Sequence, residues 1–297
     1  MMKVLLVFNP FAGHGHAGKM FPKIETALND QGIEFDLKST NYPGHGVEII
    51  RNADLNGYDG LVAAGGDGTL FEVINGYYQN PSRLRIPIGI IPVGTGNAFA
   101  RELELDHSSW KEAIKIIARQ TIRKLDVGKY HSNGQDYYYL NILGLGFVAD
   151  VTRIALKLKM FGNISYTLGV LIRTIFLSAD NLSIEIDGQI LGRECTFVEI
   201  SNTRYAANFL MAPNAIIDDG LLDVTIAKKL NRRRLLKCFP KIFTGEHVHL
   251  PEVETYQAKR IKIISVKPKV LSPDGELIGT TPVEIECLCQ AIEVYWK

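Results

Sequence analysis

The segment Gly65-Gly66-Asp67-Gly68-Thr69 constrains the fold more than any other part of the chain. It follows the short apolar run Gly60–Ala64, typical of a buried strand, and leads into Leu70–Tyr78, typical of a helix. Glycines at such a turn let the backbone approach phosphate oxygens, and the helix N-terminus presents N–H groups to them. Asp67 can hold a phosphate-bound Mg²⁺ or a bridging water. A tight strand-to-helix turn without a ligand is the alternative.

Another glycine-rich loop follows the predicted strand Ile88–Ile91. In Val93-Gly94-Thr95-Gly96-Asn97 the glycines free the backbone and Thr95 offers a hydroxyl. Asn97 is a predicted cap for a helix that starts near Ala98. A further loop of this kind, after Lys3–Phe8, contains Asn9, Pro10 and Gly13. Packing alone hardly explains three such loops, so they predict a phosphate-binding domain.

Strands and helices alternate up to about residue 125. This pattern predicts a parallel sheet covered on both faces, with ligands at the carboxyl ends of the strands. The glycine-rich loops fall at those ends. The remaining predicted elements are a strand at Phe35–Ser39, helices at Met20–Asn29 and Val47–Ala53, and a helix to Arg119 opened by the capping box Ser109-Trp110-Lys111-Glu112.

After Asp126 the pattern changes to strands joined by short turns. Asn133-Gly134 and Asp187-Gly188 are two-residue hairpin signals, and Asp274-Gly275 is a further predicted turn. We therefore predict an antiparallel β-sandwich or barrel with helical insertions. The insertions are predicted around Val148–Lys159, Ile164–Ser178 and Arg232–Phe243.

Composition and charge narrow the function classes. The 297 residues are 46% hydrophobic and 22% charged, which is ordinary for a globular protein, and a net charge of +1 argues against a nucleic-acid partner. No segment approaches the roughly 20 apolar residues of a membrane-spanning helix, and a cytoplasmic setting is expected. The four cysteines (Cys195, Cys238, Cys287 and Cys289) are interpreted as free buried thiols rather than metal ligands.

The glycine-rich loops together resemble the diacylglycerol-kinase catalytic family, which includes bacterial soluble lipid kinases, sphingosine kinases and ceramide kinases. The resemblance continues through Leu125-Asp126-Val127-Gly128, Asp218–Asp223 and Ser272–Glu276. It implies an α/β nucleotide-binding domain at 1–126, similar to NAD kinases and phosphofructokinases. It also implies that 288–297 returns to that domain as a strand and that 127–287 form a β-rich lipid-substrate domain.

The resemblance assigns a nucleotide site. It implies that ATP binds with Mg²⁺ at a residue set in the N-terminal domain, with Asp67 at the centre of a metal–water network that Asp126 joins. Asp126 capping a turn is the alternative, and Thr40 is equally a polar residue that ends a strand. The nucleotide set is Asn9, Pro10, Gly13, Thr40, Gly65, Gly66, Asp67, Gly68, Thr69, Gly94, Thr95 and Asn97.

The resemblance also assigns a general base and a second metal site. Glu276, just after Asp274-Gly275, matches the glutamate with which relatives take the proton from the lipid hydroxyl, whereas a solvated turn residue is the alternative. Bacterial relatives hold a structural Mg²⁺ at a site that would here use Asp219 and the carbonyls of Ile216 and Leu221. A plain acidic turn is the alternative there.

The expected activity is ATP-dependent transfer of the γ-phosphate to a lipid hydroxyl, with diacylglycerol or a related glycerolipid favoured. A sphingoid long-chain-base kinase is the alternative, because Ala98 and the segment Gly146–Val151, with Asp150 as a candidate substrate ligand, resemble sphingosine kinases. Thr152, however, stands where those enzymes carry an acid. An NAD kinase-like enzyme is less favoured. Arg232-Arg233-Arg234 are candidates for peripheral contact with a membrane, and a solvated helix face is the alternative for them. A homodimer is left open.

Overall fold

The computed structural model describes residues 2–82, 84–106, 108–158 and 164–297. The chain divides into unit 1, Met1–Leu125 with Gln290–Lys297, and unit 2, Asp126–Cys289. The predicted change of pattern after Asp126 and the predicted return at 288 lie close to these limits.

Unit 1 is an alternating α/β domain, as predicted. Its strands pair in parallel in the order β2-β1-β3-β4, so their carboxyl ends share one edge of the sheet. In the last strand of the chain, Val294 pairs in parallel with Ile88 of β4. The elements are β1 (Met2–Phe8), α1 (His16–Asp30), β2 (Ile33–Ser39), α2 (His45–Arg51), β3 (Gly60–Gly65), α3 (Asp67–Gln79), β4 (Ile88–Pro92) and α4 (Trp110–Arg119).

Apolar spacing explains which helix faces pack inward. In α4 the buried residues Trp110, Ala113, Ile114 and Ile117 recur at three- and four-residue intervals, as an amphipathic helix requires. The predicted capping box of this helix is wrong in its contacts. Ser109 Oγ donates to Asp106 Oδ1 at 2.7 Å and makes no cap bond, because the preceding turn engages the hydroxyl.

Unit 2 is built on an antiparallel sheet in which β9 pairs with β7, β8 and β12. β15 pairs antiparallel with β7, β14 with β8, and β13 with β12. Two strands, β5 and β16, have residues in both units. The elements are β5 (Ile122–Ser132), β6 (Gln135–Tyr139), β7 (Ile142–Gly146), α5 (Phe147–Lys157), α6 (Ile164–Ile175), β8 (Asp180–Ile186), β9 (Gln189–Ser201), β10 (Tyr205–Ala206), β11 (Phe209–Leu210), β12 (Leu222–Lys228), α7 (Arg232–Cys238), β13 (Val253–Ala258), β14 (Arg260–Ser265), β15 (Leu271–Pro273) and β16 (Val283–Tyr295).

The hairpin turns form as the sequence predicts. Asn133 and Gly134 have φ angles of 53° and 78°, and Asp187 and Gly188 have 44° and 89°. Positive φ at both central residues matches the twist of a two-residue hairpin. The helical insertions are also present, although the predicted end of the first, Lys159, lies outside the described residues.

The cysteines are all free, and their burial differs from the prediction at two positions. Cys195 and Cys238 are buried, whereas Cys287 is half-buried and Cys289 is exposed. Across the described ranges, we find no helix with both the length and the apolar character needed to span a bilayer.

Candidate active site

The three glycine-rich loops of unit 1 are bonded to one another at the carboxyl ends of β1, β3 and β4, and in that order they are called the first, second and third loop. Asn9 follows β1, and its backbone N–H donates to Ala64 O at 2.9 Å. The side-chain Nδ2 of Asn9 donates to Thr69 Oγ1 at 3.1 Å, in the first turn of α3. The first loop is therefore fixed to the end of β3 by its backbone and to the start of α3 by its side chain.

The second and third loops cross at two glycines. Val93 N and Gly94 N both donate to Gly65 O, at 2.9 and 3.0 Å. A β-carbon on Gly66 would lie 3.2 Å from the α-carbon of Gly94, and one on Gly94 would lie 2.8 Å from Gly66 N. This crossing leaves the bare backbone at the edge of the sheet, which is the arrangement that lets peptide groups approach a phosphate.

Asp67 joins the start of α3 to the third loop. Its Oδ1 accepts a hydrogen bond from Phe99 N at 3.3 Å. Burial raises the pKa of Asp67, and the backbone N–H groups of Ala98 and Phe99 oppose that shift. A β-carbon on Gly96 would lie 2.8 Å from Asp67 Oδ2. The carboxylate is therefore held by the loop as well as by its own helix.

Asn97 does not cap a helix, so this prediction is wrong. Its φ is 50°, and its Nδ2 donates to Gly94 O at 2.8 Å, which closes the third loop on itself. The chain continues from Ala98 as a short 3₁₀ turn, Phe99–Leu103. Asn97 Oδ1 is buried without a hydrogen-bond partner. An unsatisfied buried acceptor fits a ligand that brings a donor, such as a nucleotide hydroxyl or amino group.

The predicted nucleotide residues all lie in unit 1, near the carboxyl ends of its strands. Thr40 directly follows β2 and is buried, with its backbone N–H donating to Phe8 O at 2.9 Å. Thr69 is buried under the first loop, whereas Thr95 is exposed and its hydroxyl is accessible to a ligand. Thr40 is 5% exposed, and the nucleotide-binding role of the predicted set, Thr40 included, stays a prediction.

Sequence reasoning missed Glu72. Its two carboxylate oxygens accept hydrogen bonds from Gly44 N at 2.7 Å and Gly46 N at 2.8 Å. These bonds hold the loop after β2 against α3. Because Glu72 is far from the two glycines along the chain, no local sequence pattern indicates this contact.

The turn that carries Glu276 lies in unit 2 and is fixed by its neighbour Asp274. The carboxylate of Asp274 accepts hydrogen bonds from three consecutive backbone N–H groups at 2.9–3.0 Å, those of Leu140, Asn141 and Ile142. Asp274 and Gly275 have φ angles of 44° and 84°. Glu276 N donates to Pro273 O at 2.7 Å, and the half-buried Glu276 follows β15 outside any strand. The predicted turn is confirmed, and Asp274 is a positioning residue that the sequence did not identify.

The carboxylate of Asp126 is bonded to the turn at Gly220, and its role in a metal–water network stays a prediction. Asp126 is fully buried, and its Oδ2 accepts a hydrogen bond from Gly220 N at 2.6 Å. The neighbouring Asp219 is exposed, with Oδ1 accepting from Leu221 N at 3.0 Å. Within the described part of the chain no group of three His, Cys, Asp or Glu side chains could hold a metal ion. The metal site of Asp219 with the carbonyls of Ile216 and Leu221 stays a prediction.

Asp150 is engaged by arginines. Its two oxygens accept hydrogen bonds from Arg153 at 3.0 Å and from Arg173 at 2.9 Å, which pairs α5 with α6. The neighbouring Thr152 accepts a hydrogen bond from Ser272 at 3.0 Å. Asp150 is therefore paired with two arginines and Thr152 has no carboxylate, and a substrate role for Asp150 stays a prediction.

Comparisons with known proteins agree with this architecture. The diacylglycerol kinase catalytic domain family matches residues 3–130, and the YegS C-terminal NAD kinase beta sandwich-like domain matches residues 141–296. A diacylglycerol kinase of Staphylococcus carnosus is 32% identical, covering 98% of this chain and 94% of its own. One from Bacillus subtilis is 30% identical, covering 99% and 96%.

Solved structures give the same result. A diacylglycerol kinase crystal structure from Bacillus anthracis superposes with a TM-score of 0.74 at 25% identity, covering 99% of this chain and 97% of that one. A second crystal structure from that organism gives a TM-score of 0.82 at 29% identity, with the same coverage.

An α/β domain with joined glycine loops, followed by an NAD kinase-like β-sandwich, defines a class of phosphate-transferring enzymes. Within that class the chain belongs to the diacylglycerol kinase family and is a kinase. The resemblance inferred from the sequence motifs and the predicted fold class are both confirmed.

Proposed function

We propose that this kinase transfers the γ-phosphate of ATP to the hydroxyl of a neutral glycerolipid, either diacylglycerol or a close relative. The observation that carries the proposal is the bonded crossing of the glycine loops at Gly66 and Gly94, in a chain whose relatives at about 30% identity are named diacylglycerol kinases. The substrate assignment is inferred from those relatives and from the side chains described below.

Unit 1 binds the nucleotide in this proposal. Backbone N–H groups of the glycine loops and the N-terminus of α3 face the phosphates, and Thr95 adds an exposed hydroxyl. Asn97 Oδ1 accepts a hydrogen bond from the nucleotide, which satisfies its buried oxygen. Asp67 would hold Mg²⁺, directly or through water, and the ion would neutralise charge on the phosphates. Phosphoryl transfer needs mainly such positioning and charge balance.

Glu276 acts as the general base. Its carboxylate takes the proton from the lipid hydroxyl as the alcohol oxygen forms a bond to the γ-phosphorus. The bond from that phosphorus to the bridging oxygen of ADP breaks, so the products are a phosphorylated lipid and ADP. Asp274 keeps the Glu276 turn in place through its three backbone hydrogen bonds.

A neutral acceptor fits the α5 region better than a sphingoid base. An ammonium group leaving water needs a paired carboxylate. The carboxylate of Asp150 is already paired with two arginines, and Thr152 provides only a hydroxyl. These contacts favour a glycerolipid over a long-chain base.

Peripheral membrane contact is part of the proposal. In α6 and just beyond it, large apolar side chains are exposed, namely Leu171, Ile172, Ile175 and Phe176 at 41–71%. The adjacent α7 adds the exposed cations Arg232 and Arg233, whereas Arg234 is paired with Glu252 at 2.7 Å. An apolar surface beside cations suits an anionic bilayer.

The test is transfer from labelled ATP to micelles of diacylglycerol, phosphatidylglycerol, sphingosine or ceramide, with NAD as a soluble acceptor. The proposal predicts a labelled glycerolipid that exceeds the sphingoid products by at least about tenfold in kcat/KM, a difference of roughly 1.4 kcal/mol. Label on sphingosine alone would move the assignment to a long-chain-base kinase. Label on NAD alone would overturn it.

A further inference from the structure

Two buried polar side chains on β9 have no hydrogen-bond partner. Glu199 is 5% exposed and Ser201 is fully buried, and Glu199 Oε2 and Ser201 Oγ are both unpaired. The two residues are separated by one position in a strand, so they point to the same face of the sheet. Buried polar atoms without partners are rare in folded proteins and call for an explanation such as a bound ligand or water.

Their face of the sheet lies beneath α5. Glu199 is directly opposite Gly144 of β7, and Gly144 is opposite Ser272 of β15. A β-carbon on Gly144 would lie 3.6 Å from Glu199 Cγ and 2.6 Å from the side chain of Val148 in α5. Because position 144 has no side chain, Val148 of α5 packs close to β7 at the strand position opposite Glu199.

An apolar route begins next to this pair. Phe197 shares the face, two residues before Glu199, and packs with Phe239 against a buried cluster that contains Phe209. The rings of Phe209 and Phe243 are 5.2 Å apart, and Phe243 is 44% exposed. Aromatic side chains therefore connect the neighbourhood of the buried carboxyl to the surface of unit 2.

The carboxyl group is in its neutral form near pH 7. Burial raises the pKa of Glu199 to about 8. A neutral carboxylic acid donates one hydrogen bond through its hydroxyl, and the Ser201 hydroxyl donates another. The residues opposite them on β12, Thr225 and Asp223, are also polar. Two adjacent uncharged donors suit a ligand that brings uncharged acceptors, such as ester carbonyls.

We propose that Glu199 and Ser201 bind the ester carbonyl groups of the acceptor glycerolipid, with its acyl chains along Phe197, Phe239 and Phe243. This inference deepens the proposed function and rests on it. The pair selects a diester lipid from an otherwise identical lipid that lacks carbonyl oxygens. Buried water would satisfy the same atoms, but it would not make the activity depend on those carbonyls.

The experiment compares diacylglycerol with the dialkyl ether of the same chain length as acceptors. The wild-type enzyme should prefer the diester by about tenfold or more in kcat/KM, because a site built for hydrogen bonding rejects an analogue that lacks the partner. Glu199→Leu should bring the ratio close to one by losing activity on the diester alone. Glu199→Gln, whose amide still donates, should keep most of the preference. Thr174→Val removes a buried hydroxyl that bonds Val170 O and should leave the ratio unchanged.

The outcomes separate the two proposals. If the wild-type enzyme phosphorylates no lipid, the proposed function fails and takes this inference with it. If it phosphorylates both lipids equally, or if Glu199→Leu and Ser201→Ala keep the wild-type ratio, only the inference is overturned. Should Glu199→Leu fail to fold, Ser201→Ala decides, and it should lower the ratio by several-fold.

Discussion

Gly94 N donates to Gly65 O at 3.0 Å, and a β-carbon added to Gly94 would overlap the α-carbon of Gly66. The two loops can therefore pack only as bare backbone. This contact links the turn after β3 to the turn after β4, and it fixes the peptide groups to which we assign the nucleotide phosphates.

Gly94→Ala should separate these loops and weaken nucleotide binding by at least about tenfold, a loss of roughly 1.4 kcal/mol. Isothermal titration with a non-hydrolysable ATP analogue measures it. Gly192→Ala is the matched control, because a β-carbon there meets nothing within 4 Å. Equal affinities for the two variants would mean that the crossing does not shape the nucleotide site.

Asp67→Asn should fold normally and lose turnover by about a hundredfold or more, a typical cost for removing a preorganised electrostatic group. The amide oxygen can still accept the hydrogen bond from Phe99 N, while the negative charge is gone. Steady-state kinetics and thermal unfolding should be measured together, with the exposed Asp54→Asn as control. If the variant is largely unfolded under the assay conditions, and this accounts for its lost turnover, Asp67 has a purely structural role.

The strand and glycine-loop pattern revealed most of the fold because it depends on local sequence. Strands β1, β3 and β4 and the loops after them follow from apolar runs that lead into glycine-containing segments. Asn97 shows the limit of that reasoning. Its predicted capping role is typical of the residue type, but the left-handed conformation that closes the loop cannot be inferred from the sequence.

The contacts that position the site were not predictable because they join distant parts of the chain. Asp274 bonds backbone groups more than 130 positions earlier, at 140–142, and Glu72 bonds the loop at Gly44 and Gly46. Glu199 was missed for a different reason. One acidic residue in an apolar strand pattern gives no indication that its oxygen is buried without a partner.

The Asp274 contact predicts a loss of both stability and activity. Asp274→Ala leaves three backbone N–H groups without their acceptor, which should cost about 2–4 kcal/mol and should lower kcat by releasing the Glu276 turn. Denaturant unfolding and kinetics give the two values. Asp187→Ala is a matched control, since that carboxylate also accepts backbone N–H bonds in a turn, from Lys259 and Arg260. Its kcat should be unchanged, and an equal fall in kcat for both would contradict a positioning role for Asp274.

The buried carboxyl of Glu199 predicts a pH-dependent stability. Its pKa is raised from 4.5 to about 8, so between these values the folded state holds a proton that the unfolded state has released. The free energy of unfolding should therefore fall as pH rises through this interval, by at most roughly 1.4 kcal/mol per pH unit. Glu199→Gln does not titrate, so its stability relative to the wild type should increase from pH 5 to pH 8. Urea unfolding of both proteins at several pH values measures this difference, and parallel curves would mean that Glu199 is ionised in the folded protein.

The assignment of Glu276 as the base is tested most directly by measuring ATP affinity and lipid phosphorylation in Glu276→Gln and the wild-type enzyme. The amide keeps the size of the side chain but cannot take a proton at neutral pH. We predict an unchanged Kd for the nucleotide and a fall in kcat of roughly a hundredfold or more on the preferred glycerolipid. A variant that phosphorylates the lipid at the wild-type rate would contradict this account.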